Sequence, residues 1–175
     1  PHSNHIKVMG NKIDAKKIMD DNKVPTVPGL NDISDKVKIK EFIKKVELPI
    51  IVKAASGGGG KGMRIVNNKN EIDNAINSAK AEAKKSFNDD TVYLEKFLTT
   101  PKHIEIQILA DSYGNVVTSG ERDCSIQRKH QKLIEESPSD LLTNEKRIEI
   151  SELCKKAVSS LGYEGVGTLE FLYEN

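Results

Sequence analysis

Residues 48–67 read LPIIVKAASGGGGKGMRIVN, and five of the six positions 57–62 are glycine. The β-branched run 50–52 before the glycines predicts a strand, and the run 63–66 after them predicts another. So many glycines between two strands expose backbone amides that no side chain covers. Such amides, with Lys53 before them, suit phosphate oxygens. The stretch therefore predicts a hairpin whose glycine flap (residues 57–62) closes over phosphates; a flexible surface turn is the alternative.

Two commoner phosphate-binding glycine loops do not match this flap. Gly57, Gly59 and Gly62 satisfy G-x-G-x-x-G, but a dinucleotide-binding fold needs a helix directly after the glycines. The P-loop needs Lys-Ser or Lys-Thr after its last glycine, where this chain has Met63 and Arg64. The remaining analogue is the flap that covers nucleotide phosphates in protein kinases.

Composition predicts a globular chain of about one domain, since its 175 residues can bury a core. With 27 basic and 26 acidic residues, no net field favours nucleic acid or an anionic membrane. No apolar run approaches the roughly 20 residues of a membrane-spanning helix. Cys124 and Cys154 are far apart, which indicates neither a disulfide framework nor a zinc site, and a reducing cytoplasmic setting is expected.

Apolar periodicity predicts alternating helices and strands, divided by the proline-rich segment 24–29. The first ten residues are expected to be the tail of an upstream element. The part from 25 to 97 predicts a small α+β unit of two helices on a sheet. In chain order, the predicted helices cover 11–23, 37–46, 70–86 and 143–161. The predicted strands cover 50–52, 63–66, 91–97 and 103–109. A returning strand is predicted from 116 and continues towards 132, and a final run covers 165–175.

Candidate functional side chains gather on the later strands. Alternation places His103, Glu105 and Gln107 on one face of their strand, opposite three isoleucines, although a solvated face would give the same pattern. Glu170 stands between apolar residues that point the other way. It is a candidate Mg²⁺ ligand, because this ion accepts one or two carboxylates together with nucleotide phosphates. The other candidates are Arg122, Gln127, His130 and Lys132.

Two basic features have weaker interpretations. Lys12 begins a predicted helix, where the positive end of the helix dipole gives a lysine no advantage, so Lys12 is a candidate anion contact or else a solvated lysine. The basic run 128–132 lacks aromatic neighbours and a basic surround, which argues against nucleic-acid binding.

Six blocks, in this order, resemble the ATP-grasp core of biotin carboxylase, and the resemblance covers nearly the whole chain. The block over 121–132 is highly specific, whereas the glycine flap alone would fit several ATP-grasp ligases. The blocks are MGNK (9–12), IVKAASGGGGKGMR (51–64), EKFL (95–98), HIEIQ (103–107), ERDCSIQRKHQK (121–132) and GTLEFL (167–172).

This resemblance implies an α+β, ATP-grasp fold. Residues 1–24 would be a linker helix from a missing N-terminal domain, and 25–97 would form the lid subdomain with the flap. Residues 98–175 would be the first part of a truncated C-terminal antiparallel-sheet subdomain.

The resemblance also implies a role for each candidate residue. The catalytic set would comprise Lys53, Lys132 and Glu170. Lys132 would place bicarbonate, and Glu170 would be the metal ligand. In the nucleotide-binding set, Lys12, Lys53 and the flap amides of Gly59 and Gly60 would contact the phosphates, and Lys53 would also lie near the adenine. Glu95, Lys96 and Leu98 would form the adenine hinge. His103, Gln127 and His130 would lie beside the ribose.

The implied activity is ATP-dependent carboxylation of biotin by bicarbonate through carboxyphosphate, with ATP and Mg²⁺ or Mn²⁺ as cofactors. The implied partners are a biotin carboxyl carrier protein and a carboxyltransferase, in a homodimer, without nucleic acid or membrane. Because the second metal carboxylate would lie beyond residue 175, we expect the parent enzyme rather than this piece to catalyse. Alternatives are another ATP-grasp ligase such as a carbamoyl-phosphate synthetase, which the block 124–132 argues against, or a non-catalytic nucleotide-binding module.

Overall fold

The structure is a computed structural model that describes residues 1–128 and 131–174. The chain forms two compact units. The flap unit contains Gly10–Asp14 and Thr26–Thr99, and the sheet unit contains Pro1–Met9, Ala15–Pro25 and Thr100–Asn175.

The N-terminal segment forms two helices where the sequence predicts one. Helix α1 covers Ser3–Gly10 and helix α2 covers Lys12–Asp21. The carboxamide oxygen of Asn11 separates them, because it accepts hydrogen bonds from the amides of Ile13 and Asp14 (2.9 and 3.3 Å) and so caps α2. Helix α1 covers most of the first ten residues, and their assignment to the tail of an upstream element stays a prediction.

The flap unit is a four-stranded antiparallel sheet with helices on one face. Its strands are β1 (Gly29–Leu30), β2 (Ile50–Ala54), β3 (Met63–Val66) and β4 (Val92–Lys96), in the order β1-β4-β2-β3. Strands β2 and β3 pair from Ile50↔Val66 to Lys53↔Met63, so the predicted hairpin around the glycines is confirmed.

Two helices complete the core of this unit. Helix α3 (Lys36–Val46) starts where the Asp35 carboxylate accepts from the Val37 amide at 2.7 Å, and helix α4 (Ile72–Phe87) follows a 3₁₀ turn over Lys69–Glu71. Alternate strand residues pack beneath the helices and are fully buried, namely Ile50, Val52, Val66 and Leu94. The opposite face of β2 and β4 carries Lys53 and Glu95, which alternate with these residues.

The sheet unit is a second antiparallel sheet, in the order β7-β6-β5-β8. Its strands are β5 (Lys102–Ala110), β6 (Val116–Arg128), β7 (Gln131–Glu136) and β8 (Gly165–Tyr173). The sequence predicts one strand running from 116 towards 132, but the structure has two, since β7 pairs antiparallel to β6.

Helix α5 (Asn144–Leu161) covers one face of this sheet. The Thr143 hydroxyl caps it by accepting from the Lys146 amide at 3.3 Å, and Gly162 ends it in the left-handed conformation. Ile106 and Ile108 of β5 pack there against Cys154 and Val158 of the helix, and all four side chains are buried.

An irregularity interrupts the pairing of β6 with β5. Ile106 pairs with Glu121, but Ile108 pairs with Thr118, so two β6 residues lie opposite one β5 residue. This is a β-bulge, and Gly120 in it has a φ of 74°. Among the described residues no helix is both long and apolar enough to cross a bilayer.

Candidate functional site

The glycine flap is held at its ends and open in the middle. A side chain on Gly57 would collide with the Phe87 ring, and one on Gly62 would lie 2.8 Å from the Ala54 methyl group. At Gly58 and Gly59, by contrast, an added carbon would meet nothing within 4 Å. Of the two predicted amide donors, Gly59 therefore lies on the open part of the flap. Gly60 follows with a φ of 75°.

Two predicted phosphate contacts lie at the base of the flap. The Lys12 ammonium donates to the carbonyl of Gly57, and its backbone amide donates to Ala55 at 3.0 Å. Lys53 forms an ion pair with Glu95 at 2.5 Å, and the Glu95 side chain is only 8% exposed. Burial and then the neighbouring Lys53 lower the pKa of Lys12. Two ammonium groups against one carboxylate favour an anion beside them.

The predicted adenine hinge lies at the end of β4. Glu95 and Lys96 are the last residues of that strand, and half-buried Leu98 comes after it. The Lys96 ammonium donates to the carbonyl of Val46 at 2.6 Å, at the C-terminus of α3, where a cation is stabilised by the helix dipole. Its backbone amide donates to Pro28 at 2.9 Å. The side chain of Lys96 is thus occupied within the flap unit, and the role of the hinge stays a prediction.

The sheet unit contains a second charged cluster, centred on Glu105. Its side chain is 3% exposed and lies between two cations: Arg122 Nε donates to Oε1 at 2.5 Å, and the Lys132 ammonium contacts Oε2. Arg122 also donates to Gln107 at 3.0 Å. Burial raises the pKa of Glu105, but Lys132 and Arg122 outweigh it and keep the pKa below its ordinary value.

Lys132 bridges this buried carboxylate to the predicted metal ligand. Its ammonium also contacts Glu170 Oε1 at 2.7 Å, and Glu170 is 54% exposed. Burial lowers the pKa of Lys132, but the two carboxylates raise it above its ordinary value. His103 and Lys132 lower the pKa of Glu170 to about 2, so this carboxylate is ionised at neutral pH.

Of the three residues predicted to lie beside the ribose, the structure describes His103 and Gln127. His103 Nε2 lies 3.7 Å from Glu170, and its Nδ1 accepts from the Gln127 amide at 2.5 Å. Gln127 also donates to the Cys124 carbonyl at 2.8 Å. His130 lies outside the described residues. The strands thus bring His103, Gln127, Lys132 and Glu170 together, whereas the contact of each with a nucleotide stays a prediction.

A group of possible metal ligands near this cluster does not suit a metal ion. Glu105, Cys124 and Glu135 place ligand atoms within 4.8 Å of one another. Arg122 and Lys132 already neutralise Glu105, and burial raises the pKa of the Cys124 thiol to about 11. Both cysteines are free and buried.

The sequence did not single out the buried pair of Glu121 and Arg147. Arg147 Nε donates to the Glu121 carboxylate at 2.6 Å, and its Nη2 donates to the Ser139 carbonyl at 2.6 Å. No local pattern could have found this pair, because its partners are 26 positions apart on a strand and a helix.

The sequence model of the family described as "Carbamoyl-phosphate synthase L chain, ATP binding domain" matches residues 11–175. The chain belongs to this family. Over the whole chain it is 49% identical to a biotin carboxylase of Haemophilus influenzae and 45% identical to a pyruvate carboxylase subunit of Methanothermobacter thermautotrophicus. It covers 40% and 36% of these two relatives, so it spans about two fifths of their length.

Solved structures show the same fold. The biotin carboxylase domain dimer of the Hydrogenobacter thermophilus 2-oxoglutarate carboxylase, in complex with MgADP, ADP and bicarbonate, matches 98% of this chain and 38% of that one with a TM-score of 0.91 and 44% identity. A biotin carboxylase complex with β,γ-ATP from Campylobacter jejuni matches 95% and 38% with a TM-score of 0.89 and 46% identity. The predicted ATP-grasp fold and the resemblance to biotin carboxylase are therefore confirmed.

Proposed function

We propose that the protein carrying this chain phosphorylates bicarbonate with ATP and transfers the resulting carboxyl group to biotin on a carrier protein. In the first step a bicarbonate oxygen attacks the γ-phosphorus, which yields carboxyphosphate and ADP. In the second step the carboxyl carbon bonds to biotin N1, the bond to the phosphate oxygen breaks, and the N1 proton leaves. The barrier falls mainly through positioning and charge neutralisation.

The observation that carries this proposal is the position of Lys132. Its ammonium lies on a polar strand face, held by buried Glu105 and touching half-exposed Glu170. A cation fixed from one side in this way can present N–H donors to a small anion without a large loss of side-chain entropy. We assign bicarbonate to it, and the presence of bicarbonate in the Hydrogenobacter complex supports this anion as the substrate.

The proposed nucleotide contacts are assigned to the phosphates, the adenine and the ribose in turn. The flap amides of Gly59 and Gly60, with Lys12 and Lys53 at the flap base, would receive the phosphates. Glu95, Lys96 and Leu98 would border the adenine, and His103, Gln127 and His130 the ribose. The nucleotide complexes of the Hydrogenobacter and Campylobacter structures support an adenine nucleotide as the ligand.

The residues present fit a magnesium ion. Glu170 is ionised and half-exposed, and Mg²⁺ takes one or two carboxylates with phosphate oxygens and water. Glu170 would hold the ion, with Mn²⁺ as a substitute. The ion would neutralise charge on the transferred phosphoryl group.

The names of the relatives support the further parts of the proposal. They include carboxylases of pyruvate and methylcrotonoyl-CoA, and the Hydrogenobacter structure is a domain dimer. We therefore propose a biotin carboxyl carrier protein and a carboxyltransferase as partners, and a homodimeric parent enzyme. A cytoplasmic location is proposed on another ground, the two free cysteines, since disulfides are rare in reducing compartments. We propose that residues 1–24 form a linker helix, that residues 25–97 form the lid, and that residues 98–175 belong to the C-terminal subdomain.

The test measures ADP formation by the full-length protein, with and without bicarbonate and free biotin. Lys132→Met should abolish the stimulation by bicarbonate and leave ATP affinity within about twofold, because Lys132 is assigned to bicarbonate. The matched control is Lys155→Met, which removes an exposed ammonium paired with Glu152 on α5 and should behave as wild type. ADP formation that depends on ammonia rather than biotin would assign the protein to carbamoyl-phosphate synthesis. Unchanged bicarbonate dependence in Lys132→Met would refute the role of Lys132.

A further inference from the structure

The residue before the glycine flap is held by the loop that follows helix α4. Ser56 precedes the first glycine, and its hydroxyl donates to one carboxylate oxygen of Asp89 at 2.6 Å. The other oxygen of Asp89 accepts from the backbone amide of Thr91 at 2.9 Å. The Ser56 hydroxyl and the Thr91 amide lower the pKa of Asp89, and an ionised acceptor makes a stronger hydrogen bond than a neutral one. Asp89 therefore fastens Ser56 to the loop 88–91, which joins α4 to β4.

The backbone beside Ser56 links the same loop to Lys12. The amide of Ala55 donates to the Thr91 carbonyl at 2.9 Å, and the carbonyl of Ala55 accepts from the Lys12 amide at 3.0 Å. Ala55 thus lies between the loop 88–91 and the backbone of Lys12. Movement of this segment away from the loop would carry Lys12 with it.

The first flap residue is fixed beside these contacts. The Lys12 ammonium donates to the Gly57 carbonyl. A side chain on Gly57 would collide with the ring of Phe87, the last residue of α4, whereas the next two glycines have open space around them. The open part of the flap therefore begins directly after the residues that Asp89 and Lys12 hold.

We propose that Asp89 is a positioning residue for the nucleotide phosphates, because through Ser56 it holds the flap base and the Lys12 ammonium in place. The inference rests on the proposed binding of ATP phosphates by Lys12 and the flap. Asp89 itself is assigned no contact with a phosphate. Since the adenine and the ribose are assigned to other residues, loss of Asp89 should weaken the binding of a nucleotide but not of a nucleoside.

The experiment measures the affinities of the full-length protein for ATP with Mg²⁺ and for adenosine, in wild type, Asp89→Ala and Asp89→Asn. ATP affinity should fall about tenfold in Asp89→Ala, the factor for loss of one hydrogen bond to a charged group, and less in Asp89→Asn, which keeps one acceptor oxygen. Adenosine affinity should not change. The matched control is Asp90→Asn, which neutralises the next carboxylate along the chain, an exposed one, and should behave as wild type.

Two further measurements separate this role from a merely structural one. Ser56→Ala removes the hydroxyl, and both substitutions act through one hydrogen bond. The double variant Ser56→Ala with Asp89→Ala should therefore lose much less ATP affinity than the product of the two single factors. Without nucleotide, amide exchange at Ala55 and Lys12 should be faster in Asp89→Ala than in Asp90→Asn.

ATP affinity in Asp89→Ala equal to that in Asp90→Asn would overturn the proposal, and so would an equal loss of adenosine affinity, which indicates general damage to the fold. Tighter ATP binding in Asp89→Asn would also overturn it, because the carboxylate would then repel the phosphates instead of positioning their contacts. Wild-type protein that binds ATP but does not carboxylate biotin would instead overturn the proposed function and leave this inference standing.

Discussion

Gly62→Ala is expected to destabilise the flap unit by about 2–5 kcal/mol. The residue has a φ of 68°, where a Cβ costs about 1–2 kcal/mol. The new methyl group would also lie 2.8 Å from the Ala54 Cβ, on a strand held between two others, and such overpacking costs roughly 1–3 kcal/mol.

Gly59→Ala isolates the backbone part of that cost. Gly59 has nearly the same φ, 67°, but an added carbon meets nothing within 4 Å. It should lose only about 1–2 kcal/mol. The difference between the two variants is the steric part, about 1–3 kcal/mol, or about 5- to 150-fold in the opening equilibrium of the unit.

Native-state amide exchange of β2 and β4 in the full-length protein measures this opening. Gly62→Ala should accelerate exchange at Ile50 and Val52 well beyond Gly59→Ala. Equal acceleration in the two variants would show that the flap moves away from Ala54 without cost, and the close packing of Gly62 against Ala54 would then be wrong.

Three further predictions concern charged residues. Lys53→Gln should weaken ATP binding by about tenfold, as loss of one charged contact does; unchanged binding in calorimetry would contradict its phosphate role. The protein should stay folded but lose some stability, because buried Glu95 loses its ammonium partner. Glu170 has a pKa of about 2, below its ordinary 4.5, so its contribution to stability is present above about pH 4.5 and is lost as pH falls towards 2. Glu170→Gln should therefore flatten the acid side of the urea-midpoint profile, and an unaltered slope would refute this. Arg147→Met should cost about 3 kcal/mol by leaving Glu121 buried without its partner, against about 0.5 kcal/mol or less for the exposed Lys155→Met; equal urea midpoints would refute the pairing.

Local patterns predicted the regular elements because their causes are local. Alternation along 103–109 gave β5 its two faces, and apolar spacing with a capping threonine located α5 within one residue of its start. Strand β1 escaped prediction, since two residues become a strand only by pairing with Glu95 and Leu94 far along the chain. Apolar periodicity did not predict helix α1, because eight residues provide too few turns for a clear pattern.

The candidate site also contains one part that the sequence predicted and one part that it did not. The flap could be found from composition, since its glycines are adjacent in the chain. The ion pairs could not, because Lys53 meets Glu95 across 42 positions, and Glu105 meets Lys132 across 27. Such distances along the chain are closed by strand register, which single-sequence patterns do not encode.

The bulge at Gly120 interrupts the alternation of β6 side chains between the two faces of the sheet. Val116 and Thr118 precede it, and Thr118 faces helix α5, where its hydroxyl contacts Ser151 at 2.5 Å. Arg122 also has an even number, yet it faces Glu105 on the opposite side. The extra residue lets Thr118 and Glu121, three positions apart, both face α5 while Arg122 faces Glu105. Deleting one residue at 119–120 would leave a single residue opposite Gln107, and the regular alternation would still place Arg122 beside Glu105. Single deletions should therefore be tolerated in the turn 111–115 and at 119–120, but not over 121–123, where the pairing with β5 is regular.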